Sequence, residues 1–337
     1  MKLSKQTINT DHPRGVTLIE LLVVVAILSV LTAIMIPRLR VINKDRNIRE
    51  AARVVGSTLA KASSRAVDEG TAGIIIERNE NFVDSSGVRF LANRMYAMRR
   101  LPPFSGDDAE SLALVTSANP FQVRIRRPLE HTTTNPLVEV GARIRLNHSS
   151  LQYEITDVDD SSSPGGIILT LSLGLNGLPV RPVLQQGASV PYVITRLPRR
   201  LESSQVDLPS GYVIDLRFSG PLGASGSVFN QGTAADESVQ LFFAEDGSID
   251  RFAYTVNGAP VSGIPTDAFY FFVSEYDPEE APFPLSLSNP AAMWVTADRA
   301  SGSVNVGYNA PPPAGLTARQ AIQHARGLSV DRRSASD

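Results

Sequence analysis

The sequence predicts an α+β protein in which a long N-terminal helix packs on an antiparallel, β-rich head. Three observations predict this class. An apolar run near the N-terminus passes into a segment with helical apolar spacing, many short β-branched segments follow it, and turn signals separate those segments. The 337 residues are 42% hydrophobic and 20% charged, so the chain can bury a sizeable core and is not disordered throughout.

The overall charge and the cysteine content exclude several function classes. Lysine and arginine total 32 against 34 acidic residues, which gives a net charge of -2. No global electrostatic field therefore drives binding to nucleic acid or to anionic lipid. The chain has no cysteine, which excludes disulfides, thiolate metal ligands and thiol nucleophiles.

The apolar run over residues 16–36 admits three interpretations. A secretory signal peptide would have a shorter apolar region ending at small residues, and neither feature is present. A plain membrane anchor explains the length, and Lys2, Lys5 and Arg14 predict a cytoplasmic N-terminus. It does not explain Glu20, because a carboxylate costs about 2.5–3.5 kcal/mol at the centre of a spanning helix.

The third interpretation accounts for that acid. The segment GVTLIELL, residues 15–22, resembles the processing site of type IV prepilins and type II secretion pseudopilins. The resemblance implies cleavage between Gly15 and Val16 and N-methylation at Val16, which stands where most family members have phenylalanine or methionine. It also implies that Glu20 serves assembly by pairing with a neighbouring subunit's N-terminal amine, and that Pro37 is the helix kink.

The same resemblance implies a pilin-like fold, a location and a set of partners. The protein would sit in the inner membrane as a single-pass protein, with its N-terminus cytoplasmic before processing and its head periplasmic. Its partners would be the prepilin peptidase/methyltransferase, other pilins or pseudopilins of the filament, and the inner-membrane assembly platform. No cofactor is implied.

Beyond Pro37 the sequence becomes amphipathic. Apolar residues recur at three-, four- and seven-residue intervals, as on one face of a helix. They are Val41, Ile42, Ile48, Ala52, Val55, Leu59, Ala62 and Ala66. Since proline can kink a helix without ending it, we predict one bent helix from Val16 to about Val67, stopped by Gly70 and its acidic neighbours.

These features divide the chain. Residues 1–15 are the leader, 16–37 the transmembrane and assembly helix, 38–70 its amphipathic continuation, 71–309 the β-rich head, and 310–337 a proline-rich linker and tail. Within the tail, Thr317 and Gln320 have the spacing of a capping box for a short helix ending near Gly327.

The head is predicted to be antiparallel. The segment REAARVVGSTLAKASSRAVDEGTAGIIIERN, residues 49–79, resembles the region after the anchor in H-type (FimT-like) minor pseudopilins. Two hairpins near the C-terminal end of the head resemble that family's closing strands. One hairpin turns at Asp246 and Gly247, and the other turns within 298–303. Residues 136–200 lengthen such a head, and their alternating segments predict an inserted β lobe, a small barrel or a sandwich.

No catalytic site is predicted. The four histidines, His12, His131, His148 and His324, lack zinc-ligand spacing, and no nucleophile elbow or phosphate-binding loop occurs. We therefore predict no enzyme and no metal site. The acidic run over 157–160 offers oxygen ligands for calcium but lacks an EF-hand pattern, so a solvated turn is the favoured interpretation.

Three arginine clusters leave nucleic-acid binding as an alternative that sequence alone leaves open. They are Arg94/Arg99/Arg100, Arg124/Arg126/Arg127 and Arg196/Arg199/Arg200. Aromatic residues that would stack bases are not interleaved with them. Solvated arginines, or arginines paired within the chain, are therefore the favoured interpretation.

The function predicted from these features is that of a minor pseudopilin supporting type II secretion. The alternative is a minor pilin of a type IV pilus, acting in adhesion or DNA uptake. A membrane-anchored enzyme or receptor is a third class, disfavoured by the processing site and by the missing catalytic motifs.

Overall fold

The structure, a computed structural model, has a mixed α+β architecture. It describes residues 18–70, 72–79, 90–99, 101–132, 137–161, 166–172, 184–223, 226–227, 229, 238–256, 259–276 and 285–330. Within 33–44 only the helical backbone is described. The chain forms two compact units, 1–47 and 48–337, and each is treated by itself.

The helices and strands follow one another in this order. They are α1 (Leu18–Glu69), β1 (Ala72–Arg78), β2 (Leu91–Arg99), β3 (Ala113–Ala118), β4 (Phe121–Arg126), β5 (Arg143–Leu146), β6 (Gln152–Asp159), β7 (Gly166–Ser172), β8 (Ser189–Val190), β9 (Tyr192–Thr195), β10 (Arg199–Arg200), β11 (Val206–Asp207), β12 (Tyr212–Asp215), β13 (Leu222–Gly223), β14 (Gly226–Ser227), β15 (Ser238–Phe243), β16 (Ile249–Val256), β17 (Ala259–Gly263), β18 (Phe269–Glu275), β19 (Met293–Ala297), β20 (Val304–Tyr308) and α2 (Ala318–Val330).

Helix α1 is 52 residues long and passes through Pro37 without a break. It ends at Glu69, where Gly70 takes a φ of 89° that favours glycine. The helix therefore ends two residues after Val67, the predicted end, and directly before the predicted stop at Gly70. Over the residues that the structure describes, no helix has the length and apolar character needed to span a membrane.

The C-terminal half of α1 has the predicted amphipathic character. Ile48, Val55 and Leu59 are buried, whereas Arg53 and Lys61 are exposed. The buried side chains share one hydrophobic core with β1, β12, β15, β18 and β19. This half of the helix is therefore the spine against which the head folds.

The head is built on an eleven-stranded antiparallel sheet. Its main path runs β17-β16-β15-β1-β2-β12-β18-β19-β20, and the short strands β10 and β11 also pair with β2. Both predicted hairpins are confirmed, as β15–β16 and as β19–β20. Alternate residues of β19 face opposite sides, so Val295 contacts the α1 core and Trp294 a second core.

The second large sheet has seven strands in the order β8-β3-β4-β7-β6-β5-β9. Strands β8 and β9, at the two ends of this order, are consecutive parts of one extended segment interrupted at Pro191. Because that segment pairs with β3 at its start and with β5 at its end, the sheet closes on itself as a small barrel. Proline has no N–H to donate, which explains the break between the two strands.

The barrel begins earlier than the predicted inserted lobe of 136–200. Strands β3 and β4 precede residue 136 and complete the barrel's hydrogen bonding and its core. The chain leaves the head sheet after Arg99 and returns at Arg199, and these two residues are cross-strand partners. The insertion therefore occupies the segment between these two arginines.

Two arginines fasten the barrel to the head. Arg143 on β5 donates two hydrogen bonds to the Asp250 carboxylate, each 2.9 Å long. Arg251 donates to the Gly141 carbonyl oxygen at 2.6 Å. Residues 139–142 form a turn with Gly141 at a φ of 87°, and β5 begins directly after this turn, at Arg143.

The described part of the C-terminal segment, residues 310–330, includes the predicted short helix, which packs on the head, and residues 331–337 lie outside the described residues. Thr317 and Gln320 form the predicted capping box, with the Thr317 N–H donating to Gln320 Oε1 at 3.1 Å. Helix α2 continues to Val330, three residues beyond Gly327. Its residues Ala321, Ile322 and Ala325 pack against the Trp294 side of the sheet.

Candidate functional site

The N-terminal segment of α1, residues 18–32, presents an apolar surface with every side chain exposed. Its exposed large apolar residues are Leu18, Ile19, Leu21, Leu22, Val23, Val24, Val25, Ile27, Leu28, Val30 and Leu31. Contiguous apolar surface of this extent marks a site of contact with protein or lipid. The segment is the candidate assembly surface.

The few polar groups in this segment are arranged for apolar surroundings. The Ser29 hydroxyl donates to the Val25 carbonyl oxygen and the Thr32 hydroxyl to the Leu28 carbonyl oxygen, both at 2.7 Å. These bonds satisfy the hydroxyl donors within the helix itself. Glu20 lies in the first turn, where the helix dipole favours an acidic group.

The structure describes only some of the residues predicted to serve processing and assembly. Gly15 and Val16 lie outside the described residues. Pro37 lies inside α1, and the kink assigned to it stays a prediction. Glu20 is exposed on the apolar segment.

Folding brings the first and third arginine clusters together around β2. The Arg94 Nε donates to Asp207 at 2.9 Å, and Arg200 donates to Glu77 at 2.8 Å. The Arg200 guanidinium also lies 3.5 Å from the centroid of the Tyr96 ring. The interpretation that these arginines are paired within the chain is thus confirmed for Arg94 and Arg200, while Arg100 lies outside the described residues.

The second arginine cluster is also engaged with acids. Arg126 lies 3.2 Å from Asp108, and Arg127 lies 2.6 Å from Asp160. Asp160 belongs to the acidic run considered for calcium, and its neighbour Asp159 ends β6. The run is therefore the end of a strand followed by an arginine-paired acid, and not a wholly solvated turn.

One buried histidine adjoins this pair. His131 Nδ1 accepts a hydrogen bond from the Leu137 N–H at 3.1 Å, and its Nε2 lies 3.9 Å from Asp160. Burial lowers the pKa of His131, partly offset by the charge of Asp160. Among the residues that the structure describes, no group of three or more His, Cys, Asp or Glu side chains could hold a metal ion.

Sequence reasoning missed a cavity at the C-terminal helix. Because residues 310–337 were predicted to be a linker and tail, Arg326 was not considered. The residue is only 5% exposed, and it lines this cavity. The sequence does contain a pattern that indicates packing of this helix on the head. Ala321, Ile322 and Ala325 have the spacing of a buried helix face just after the capping box.

Comparison with known proteins supports the N-terminal assignment. Residues 12–36 match the family model of the prokaryotic N-terminal methylation motif. No curated protein and no solved structure matches the chain. The motif indicates a type IV pilin-like protein, a structural subunit of a pilus or pseudopilus. It implies processing by a prepilin peptidase, membrane anchoring before assembly, and assembly with other pilins.

Proposed function

We propose that this protein is a minor pseudopilin of a type II secretion pseudopilus. The methylation motif over residues 12–36 carries the proposal. The exposed apolar segment of α1 and the continuity of α1 with the core of the head support it, since one helix then serves as both anchor and spine. The peptidase would cut between Gly15 and Val16, and Val16 would be methylated, with the head in the periplasm and the helix in the inner membrane.

The processing step is tested by the mass of the mature N-terminus. The chain is expressed with an active prepilin peptidase and, separately, with an inactive one. A methylated N-terminal peptide beginning at Val16, seen only with the active enzyme, is the expected result. An intact Met1 in both cultures, or a cut beyond residue 36, would reject the proposal.

Glu20 is proposed to set the register between subunits. In apolar surroundings a carboxylate needs a cationic partner, because an unpaired buried charge is costly. The N-terminal amine of a neighbouring subunit supplies that partner in a filament whose contacts repeat without closing. Assembly would then depend on Glu20 while folding of the head would not.

Glu20→Ala is expected to leave cleavage intact and to abolish incorporation into sheared filaments. The matched control is Glu50→Ala, which makes the same chemical change at an exposed position of the same helix. Wild-type incorporation of the Glu20→Ala protein, or equal loss in both variants, would contradict the assigned role.

A minor pilin of a type IV pilus is the second candidate. The barrel favours this candidate, because a unit added to the head could bind a surface or DNA. The acid pairing of Arg94, Arg126, Arg127 and Arg200 weighs against DNA. Deletion of the gene separates the candidates. Loss of exoprotein secretion with intact pili supports the pseudopilin, whereas loss of pili, adhesion or DNA uptake supports the pilin.

A further inference from the structure

A cavity of about 710 Å³ lies at one end of the head sheet. Its wall is formed by the N-terminal part of β18 with the loop before it, by the turn between β19 and β20, and by one face of α2. The lining residues are Pro221, Thr266, Asp267, Ala268, Tyr270, Asp298, Arg299, Ala300, Arg319, Gln323, Arg326 and Gly327. The volume is that of a small-molecule or peptide-end site.

Arg326 is held rigidly in this wall. Its Nη2 donates to the carbonyl oxygens of Phe218 at 2.7 Å and Gly220 at 2.8 Å. Its guanidinium carbon lies 4.3 Å from the centroid of the Tyr270 ring and 5.2 Å from that of Trp294. These contacts fix a planar cation before any ligand arrives, which lowers the entropy lost on binding.

Burial lowers the pKa of Arg326 to about 9. The group is therefore still protonated at neutral pH, although its charged form is less stable than it would be in water. A buried cation is stabilised by an anion placed beside it.

The remaining charged groups leave the cavity wall positive. Three arginines face two aspartates, an excess of one positive charge. Asp298 is committed to its own turn, because its Oδ1 accepts from the Ala300 N–H and from the N–H and hydroxyl of Ser301. Within the described part of the chain, neither Arg299 nor Arg319 forms an ion pair.

The wall also has an apolar side. Pro221, Ala268 and Ala300 contribute carbon surface, and the Tyr270 ring is partly exposed beside the guanidinium. A ligand with one negative charge and an apolar body matches both parts. A carboxylate fits better than a phosphate dianion, because the wall carries one excess charge and the exposed guanidinium of Arg299 or Arg319 is free to bind a carboxylate in a bidentate manner.

We propose that this cavity binds a carboxylate attached to an apolar body, held by Arg299 and Arg319 beside the fixed positive charge of Arg326. Two sources supply such a group, a free small organic acid and the C-terminus of a polypeptide. The proposal holds for either filament system, since it concerns the head alone.

The test uses the whole chain in non-ionic detergent and the emission of Trp294. This residue is the chain's single tryptophan and lies beside Arg326. Three probes are titrated: 3-phenylpropionate, the tetrapeptide Ala-Ala-Ala-Phe with a free C-terminus, and the same peptide amidated. Saturable emission changes with either free carboxylate, and none with the amide, are expected.

The pattern of binding identifies the source. Binding of the free peptide at least tenfold tighter than 3-phenylpropionate assigns a polypeptide C-terminus, and the reverse order assigns a small acid. Equal binding of the amidated peptide overturns the proposal. So does the absence of a saturable change with any probe up to about 10 mM, roughly tenfold above a Kd of 1 mM.

Variants separate binding from folding. Arg326→Gln removes buried hydrogen bonds and can disturb folding, so the decisive variant is Arg299→Gln combined with Arg319→Gln, both at exposed positions. The double variant should melt as wild type and bind at least tenfold more weakly. The control is Arg53→Gln, an exposed arginine on α1, which should leave binding unchanged. Unaltered affinity in the double variant overturns the proposal.

Discussion

Truncation of Leu59 to alanine tests whether α1 is the spine of the head. Leu59 is fully buried in the core that α1 shares with the sheet. The change removes three carbons, worth about 2.4 kcal/mol at about 0.8 kcal/mol per buried methylene group. The unfilled cavity adds to that loss, so we expect about 3 kcal/mol of lost unfolding free energy, within the usual range of about 2–5 kcal/mol.

The assay is denaturant unfolding of the whole chain followed by Trp294 emission. Trp294 is buried on the opposite side of the sheet from α1. A shift in the unfolding midpoint followed by its emission therefore reports a change in the stability of the whole head. Val67→Ala is the matched control, because Val67 lies on the same helix and is 56% exposed. We expect that variant to lose less than about 0.5 kcal/mol. A loss below about 1 kcal/mol for Leu59→Ala, or equal losses in the two variants, would refute the packing argument.

Three further predictions concern single groups in the head. The folded state favours neutral His131, because burial lowers the pKa of this residue. Its contribution to the unfolding free energy is therefore complete above a pH of about 6.5 and is lost as the pH falls through the lowered pKa. Between pH 7.5 and pH 5, His131→Gln should lose less unfolding free energy than wild type. The Tyr192 hydroxyl is buried without a hydrogen-bond partner among the described residues, and burial raises its pKa to about 12. Removing this hydroxyl in Tyr192→Phe should therefore raise the unfolding free energy by about 1 kcal/mol. A lower unfolding free energy in the variant would contradict this prediction. Gly302 has a φ of 63°, and an added Cβ would overlap the Gly247 carbonyl oxygen. Gly302→Ala should therefore lower the unfolding free energy by more than about 1 kcal/mol. The control is Gly327→Ala, because a Cβ added at Gly327 meets no other atom within 4 Å.

Local patterns predicted the elements whose partners are close in sequence. The helical spacing of Ile48, Leu59 and Ala66 identified the buried face of α1, because one face of a helix is set by its own sequence. The hairpin turning at Asp246 and Gly247 was equally local. These features needed no knowledge of the tertiary fold.

Elements that depend on distant partners were missed. Strand β2 carries Ala, Asn, Arg and Met residues, which have little intrinsic preference for strands, and its central position in the sheet determines its conformation. Closure of the barrel depends on pairing across long sequence separations. The spacing of Ala321, Ile322 and Ala325 indicates that α2 packs on the sheet, but it does not indicate that the neighbouring Arg326 is buried, because arginine is rarely fully buried.

At the assembly surface, the sequence motif carried nearly all the information. Glu20 stood out because a carboxylate is unexpected in an apolar run, and the structure adds that it lies in the first turn of a helix with every side chain exposed up to Thr32. The sequence favoured arginines that are solvated or paired within the chain, but it could not identify the partners of Arg94 and Arg200, because Asp207 and Glu77 lie far from them in sequence.

The cross-strand pairing of Arg99 with Arg199 has a consequence for the order of folding. Bringing together the ends of a flexible loop of roughly 100 residues costs about 4 kcal/mol of chain entropy. A barrel that folds first holds its two ends side by side, so that β2 and β10 meet across a short rigid connection instead of a long coil. Formation of the barrel would then precede completion of the head sheet. Pulse-labelling hydrogen exchange during refolding checks this, since protection of β3–β9 should appear before that of β12 and β18.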